Sequence, residues 1–226
     1  MKLRKGRLLI YPPSSLPMLL FLVLILPLFA IFMSFLSLGL RKIGLNPAQA
    51  LLIMFLSFIG SFVNLIIRER SIIVLQEETS LPGVLKIFYN PPITLLSKQI
   101  LCINVGGALI PVALSIYLLP RTPLHIAVLS VVFVALISKI MSRVVKGIGI
   151  IIPAFIPPLL SALIALILYP ENPAPIAYTS GVLGTLIGAD ILNLRKLKNF
   201  PGVISIGGAG VFDGIFLTGA FAALLS

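Results

Sequence analysis

Cysteine, histidine and acidic side chains are scarce in this chain. Cys102 is the one cysteine and His125 the one histidine, and 6 acidic residues stand against 17 basic ones. A lone cysteine excludes an intrachain disulfide and a cysteine-based metal cluster. A lone histidine excludes a histidine-rich metal site, so no metal and no other cofactor is expected. Charged residues make up only 10% of the 226, where soluble domains carry roughly 25%. Hydrophobic residues reach 59% and the mean hydropathy is +1.17. These values leave no room for a sizeable soluble domain and define a polytopic membrane protein whose first partner is the lipid bilayer. The net charge of +11 is carried by short Lys and Arg clusters between apolar runs. Without a basic stripe interleaved with aromatics, nucleic acid is not an expected partner.

With about 20 apolar residues needed per spanning helix, the runs predict an all-α membrane domain of about seven transmembrane helices. They cover about 16–40, 46–67, 98–119, 124–141, 149–169, 175–194 and 203–225. The basic N-terminus Lys2 to Arg7 precedes an apolar run, Leu16 to Leu40, that is too long for a signal peptide, so it reads as a retained first helix. Asn46-Pro47 is an N-cap followed by proline at the first helical position. Asn64, one turn beyond Ser61, is expected to bond a neighbouring helix. Between the second and third helices, Ser71 to Leu75 and Val84 to Tyr89 are rich in strand formers and flank a turn-prone segment, Gln76 to Gly83. A small cytoplasmic β-hairpin is predicted there. Pro153, Pro157 and Pro158 prevent a regular first half of the fifth helix.

With the N-terminus inside, Arg41, Lys42 and Arg121 are the only basic residues of the 17 left outside. That asymmetry obeys the positive-inside rule and predicts a multi-pass protein of the cytoplasmic membrane with its C-terminus outside.

Two aspartates stand out within apolar sequence. Asp190 closes Gly181-Val-Leu-Gly184-Thr-Leu-Ile-Gly188-Ala-Asp190, and Asp213 follows Gly207-Gly208-Ala-Gly210-Val-Phe and precedes Gly214. An ionisable group at membrane depth is costly and marks a functional site by default. Gly184 and Gly188, and Gly210 and Gly214, have the spacing that lets helices pack backbone to backbone. In regular helices Asp190 would lie roughly 6 Å and Asp213 roughly 15 Å from the inner end. The carboxylates therefore meet only if Val203 to Phe212 is not regular helix. Gly207, Gly208 and Gly210 make it a poor helix interior, and the seventh helix is expected to be broken, with Asp213 capping a half-helix from Gly214. Two close carboxylates share a proton, so one serves as base and the other as acid. Such a pair suits an aspartyl-protease-like hydrolase acting on a membrane peptide, or a proton- or cation-coupled transporter or channel for a small ion or solute. The bland alternative makes Asp213 a helix cap and Asp190 an ion-pair partner of Arg195 or a nearby lysine. Asn104 and Asn193 are the supporting polar groups. Oligomeric state is left open.

Asn104 to Pro111, Ala174 to Tyr178 with Gly188 to Leu194, and Ile206 to Phe216 resemble a prokaryotic membrane family known only as a numbered domain of unknown function, 1614. The resemblance implies a polytopic membrane protein whose site includes Asn104, Asp190 and Asp213. A looser similarity is to intramembrane aspartyl proteases, which place two aspartates on neighbouring transmembrane helices, one of them in Gly-x-Gly-Asp. Here the corresponding stretches are Gly210-Val211-Phe212-Asp213 and Gly188-Ala189-Asp190, and Pro111-Val112-Ala113-Leu114 echoes their Pro-Ala-Leu element. That similarity implies peptide hydrolysis by the aspartate pair.

Overall fold

The computed structural model describes residues 15–76, 93–145, 149–198, 200–208 and 214–226. The predicted strand 84–89, most of the predicted turn before it, the basic cluster 2–7, Gly210 and Asp213 lie outside the described residues. The chain divides into two units, Met1–Phe35 and Leu36–Ser226. In the first, the described residues belong to helix α1 (Ser15–Lys42), which contains Pro27 and exposes Leu24, Leu28 and Ile31.

The second unit continues from the last turns of α1 into α2 (Pro47–Gly60), then strands β1 (Asn64–Gln76) and β2 (Ile93–Asn104). A π-helical turn, Val105–Leu109, leads into α3 (Ile110–Leu118), followed by α4 (Leu124–Met141), β3 (Arg143–Val145) and β4 (Gly149–Ile151). After α5 (Ile156–Leu168), α6 (Pro173–Thr185) passes into a second π turn, Leu186–Asp190, and a 3-10 segment, Ile191–Leu197. The chain closes with β5 (Gly202–Ile206) and α7 (Gly214–Leu225).

Local chemistry explains where helices begin. Asn46 Oδ1 accepts from the Gln49 N–H at 2.8 Å and Gln49 Oε1 accepts from the Asn46 N–H at 3.0 Å. This reciprocal capping box, with Pro47 next, starts α2. Helix α5 begins at Ile156 because Pro157 and Pro158 are tolerated only in a first turn, where no N–H is needed.

Helix α6 is the post of the unit. It packs against α3, α4, α5 and α7 and is buried around its whole circumference, from Ala174 to Val182. Small residues make this possible, as they do where membrane helices approach closely. The burial also traps hydroxyls: Tyr178 Oη, Thr179 Oγ1 and Thr185 Oγ1 have no hydrogen-bond partner among the described residues. Tyr178→Phe is therefore expected to leave thermal stability in detergent unchanged or to raise it. A loss above about 1 kcal/mol would show that the hydroxyl is satisfied after all.

The sheet order is β1-β2-β5. β1 pairs antiparallel with β2 from Asn64↔Asn104 to Gln76↔Ile93, with a bulge between Ile66 and Arg68. β5 joins β2 in parallel, Cys102 facing Ser205 in register. Gln99, buried in β2, donates from Nε2 to the carbonyls of Leu197 and Phe200, both at 2.7 Å, and so ties the chain entering β5 to the central strand. β3 and β4 form a separate antiparallel pair.

The expectation of an all-α domain with seven membrane-crossing helices is overturned. The described residues hold seven α-helices together with a three-stranded and a two-stranded sheet, and only three helical segments are long and apolar enough to cross a membrane: Val23–Lys42, Leu124–Met141 and Pro173–Leu197. Helix α7, with 12 residues, is about 18 Å long, well short of a bilayer core of about 30 Å. The predicted spans at 46–67, 98–119, 149–169 and 203–225 each combine a strand with a shorter helix. In each, the strand part is rich in Ile, Val or Thr, whose branched side chains favour a pleated sheet.

Candidate functional site

The site is built where both π turns and β5 converge. A π turn inserts an extra residue into a helix and is found frequently at functional positions. Asp190 ends the π turn of α6 and is partly exposed. Its Oδ2 accepts from the Gly207 N–H at 2.7 Å. Gly207 follows β5 with φ +85°, a left-handed conformation that a side chain disfavours. A Cβ at Gly207 would also lie 2.6 Å from Ala108 Cβ and 2.9 Å from Ala108 N, inside the other π turn. Gly207 is thus held between the carboxylate of Asp190 and the start of the α3 helix.

Asn104 fixes the other side. It is 1% exposed and makes three hydrogen bonds. Its Oδ1 caps the π turn by accepting from the Gly107 N–H at 2.8 Å, while Nδ2 donates to the Ser61 carbonyl at 2.7 Å and to Asn64 Oδ1 at 3.2 Å. Asn64 Oδ1 also accepts from Ser205 Oγ at 2.6 Å. One polar cluster therefore joins the helix-proximal ends of β1, β2 and β5. At the same point α2 crosses the π turn so closely that a Cβ on Gly106 would run into the Ser57 carbonyl, and Ser57 Oγ donates to the Gly106 carbonyl at 2.6 Å.

Asn193 acts on the helix that carries Asp190. Fully buried, it donates from Nδ2 to the carbonyls of Ala189 (2.9 Å) and Gly188 (3.2 Å) and to Ser142 Oγ (2.8 Å). It satisfies carbonyls of the π turn and anchors them to the end of α4. Asn193 Oδ1 and the nearby Ser138 Oγ on α4 have no partner among the described residues.

Gly184 and Gly188 lie against Val134, Ala135 and Ser138 of α4, whereas the close α6–α7 contacts fall at Gly181 and Gly219. Gly208 has φ +109°, and a Cβ on Gly214 would meet open space. The structure thus brings Asp190, Gly207 and the Asn104 cluster into one region, with Gly188 and Asn193 behind Asp190. Asp190 makes no ion pair with Arg195, Lys196 or Lys198 among the described residues; its hydrogen-bond partner is Gly207. No group of three or more metal-ligating side chains occurs among the described residues. Cys102 is buried in β2, where desolvation and then the charge of Glu69 raise its pKa, so it stays an inert thiol.

Asn64 and Ser205 escape a reading by apolar runs, which places Asn64 on a helix and gives Ser205 no role. A signal for them exists. Ile103-Asn104-Val105-Gly106-Gly107-Ala108 recurs as Ile204-Ser205-Ile206-Gly207-Gly208-Ala209. Each copy starts in a strand of the same sheet and places a polar residue before two glycines, at the point where the chain turns towards a helix.

A family model described as "Protein of unknown function (DUF1614)" matches residues 58–225, and the chain belongs to that family. The matched region contains the sheets, α3 to α7 and, of the site, Asn64, Asn104, Asp190, Asn193, Ser205 and Gly207. No curated protein and no solved structure matches the chain.

Proposed function

We propose that this member of the DUF1614 family is a membrane-embedded hydrolase of the aspartyl type, with Asp190 and Asp213 as its paired carboxylates and a membrane peptide as substrate. One carboxylate takes the proton of the attacking water while the other, protonated, polarises the scissile carbonyl. The reading is carried by the 2.7 Å hydrogen bond from Gly207 to Asp190, which ties the first carboxylate to a point on the chain a few residues before Asp213. Approach of the two aspartates requires that Val203 to Phe212 not be regular helix. The described part of that stretch is the end of β5 and the turn at Gly207 and Gly208, which supports the pairing. Asn104 and Asn193 hold the two π turns that frame it. The same reading places the protein in the cytoplasmic membrane. Arg68, Arg70, Lys98, Lys139, Arg143, Arg195, Lys196 and Lys198 lie in or beside the strands and the 3-10 segment. That end of the helices is then cytoplasmic, as is the N-terminus, and the C-terminus lies outside.

The test is photo-crosslinking of the reconstituted protein by a peptide isostere that mimics the tetrahedral intermediate, together with cleavage of a pool of transmembrane peptides. Asp190→Asn and Asp213→Asn should each lower cleavage at least about 100-fold and remove labelling, with melting unchanged. Cleavage that survives either substitution overturns the hydrolase reading.

A second reading, proton- or cation-coupled transport, draws on polar atoms of Thr179, Thr185, Ser138 and Asn193 that have no partner among the described residues and follow α6 and its α4 neighbour towards Asp190. It requires pH- or cation-dependent flux into liposomes that Asp190→Asn removes.

A further inference from the structure

At the end of the helices away from the sheets, the turn Ile43 to Asn46 joins α1 to α2 and a groove of about 670 Å³ opens beside it. Its lining is Leu38, Arg41, Lys42, Leu45, Pro47 and Leu224. Two cations thus meet four apolar side chains, with no carboxylate in the lining. Lys42 is fixed: its Nζ donates to the Leu224 carbonyl at 2.7 Å and so caps the last turn of α7. Arg41 is exposed and has no ion-pair partner among the described residues. A third cation, Arg121, lies beside the same turn, its guanidinium near Gly44 and stacked 4.3 Å from the centre of the Tyr117 ring, whose hydroxyl it also contacts. The described acidic side chain at this end, Glu171, is in the α5–α6 connection and not in the groove.

Position makes this cluster informative. The apolar segment Val23–Lys42 stops at Arg41 and Lys42, which sets the groove at the level where a bilayer changes from hydrocarbon to headgroup. Arg41, Lys42 and Arg121 are also the three basic residues on the face that the charge distribution otherwise leaves without any. Cations at this depth beside apolar walls match an anion that carries its own hydrocarbon.

We propose that this groove binds the phosphodiester headgroup of an acidic phospholipid, with Arg41 contacting the phosphate and Leu38, Leu45 and Leu224 contacting the upper acyl chain. The lipid site rests on the membrane location proposed above and not on the hydrolase chemistry.

Phosphatidylglycerol, phosphatidylcholine and inorganic phosphate are titrated separately into the purified full-length protein in detergent. Binding is read by native mass spectrometry and by melting temperature. Phosphatidylglycerol should bind and raise the melting temperature, and the other two should not. Arg41→Gln should weaken phosphatidylglycerol binding about fivefold, the share of one interfacial cation, without changing the melting temperature of the lipid-free protein, because the Lys42 cap is untouched. Leu38→Ser should weaken it too, and Lys196→Gln, at the sheet end, should not. Equal binding of phosphatidylcholine, an equal shift with inorganic phosphate, or unchanged binding in Arg41→Gln overturns the site. Release of the chain from membranes by alkaline carbonate would instead overturn the membrane location. A chain that stays membrane-bound but ignores phosphatidylglycerol refutes the lipid site alone.

Discussion

Replacing Asn104 by Ala is expected to lower stability by about 2 kcal/mol or more. Three hydrogen bonds end on this side chain at the junction of β2 with α3, those to Gly107 and Ser61 buried and the one to Asn64 partly buried. Alanine leaves the Gly107 N–H without its cap, which costs about 1 kcal/mol by itself. It also leaves the buried Ser61 carbonyl short of a donor, which costs about 1 kcal/mol, whereas the exposed Asn64 Oδ1 keeps Ser205 as its donor. Asn104→Ser, which keeps a capping oxygen, should recover the cap and little else. Melting in detergent of the two variants beside the native chain checks this, and equal stability of Asn104→Ala and native protein would dismantle the junction as described.

Gly207→Ala is expected to cost about 2–4 kcal/mol. The left-handed backbone at φ +85° contributes about 1–2 of these. The rest comes from a methyl group forced against Ala108, where a Cβ stands at 2.6 Å from another Cβ. Whichever element yields, the Gly207 N–H moves relative to Asp190, so any activity that depends on the carboxylate should fall further than stability does. Gly214→Ala is the control, since its Cβ would enter open space at the start of α7. If Gly207→Ala melts like the Gly214→Ala variant, the close approach of β5 to the α3 junction is wrong.

Both substitutions concern contacts between segments far apart in sequence, and this separates what was legible from what was not. The run Leu124 to Met141 contains neither glycine nor proline and is apolar throughout but for His125, Ser130, Ser138 and Lys139, and with 18 residues it is too long for an ordinary strand, so it reads as a helix. Within β1 the strand formers of 71–75 carry a local instruction of their own, whereas 64–67, 98–104 and 202–206 carry none as clear. Each of these holds only a short, mostly apolar run, Leu65 to Ile67, Ile100 to Ile103 and Val203 to Ile206, and such a run reads equally as strand or as part of a buried helix. Joined in sequence to the helices that precede or follow them, they imitate complete membrane spans.

The candidate site divides in the same way. Asp190, Asn104 and Asn193 are conspicuous because polar groups are rare in apolar sequence and expensive at depth. Their partners are not, because nothing in the order of residues says that Gly207 donates to Asp190 or that Ser205 and Asn104 share Asn64.

By itself, then, the sequence determined apolar segments of membrane length and membership of the DUF1614 family. These follow from composition and from motifs that lie within single segments. Tertiary structure alone decided which strands pair with which, because a strand is stable only when its N–H and C=O groups find another strand. For β2 those partners are β1, across an antiparallel hairpin, and β5, from the far end of the chain.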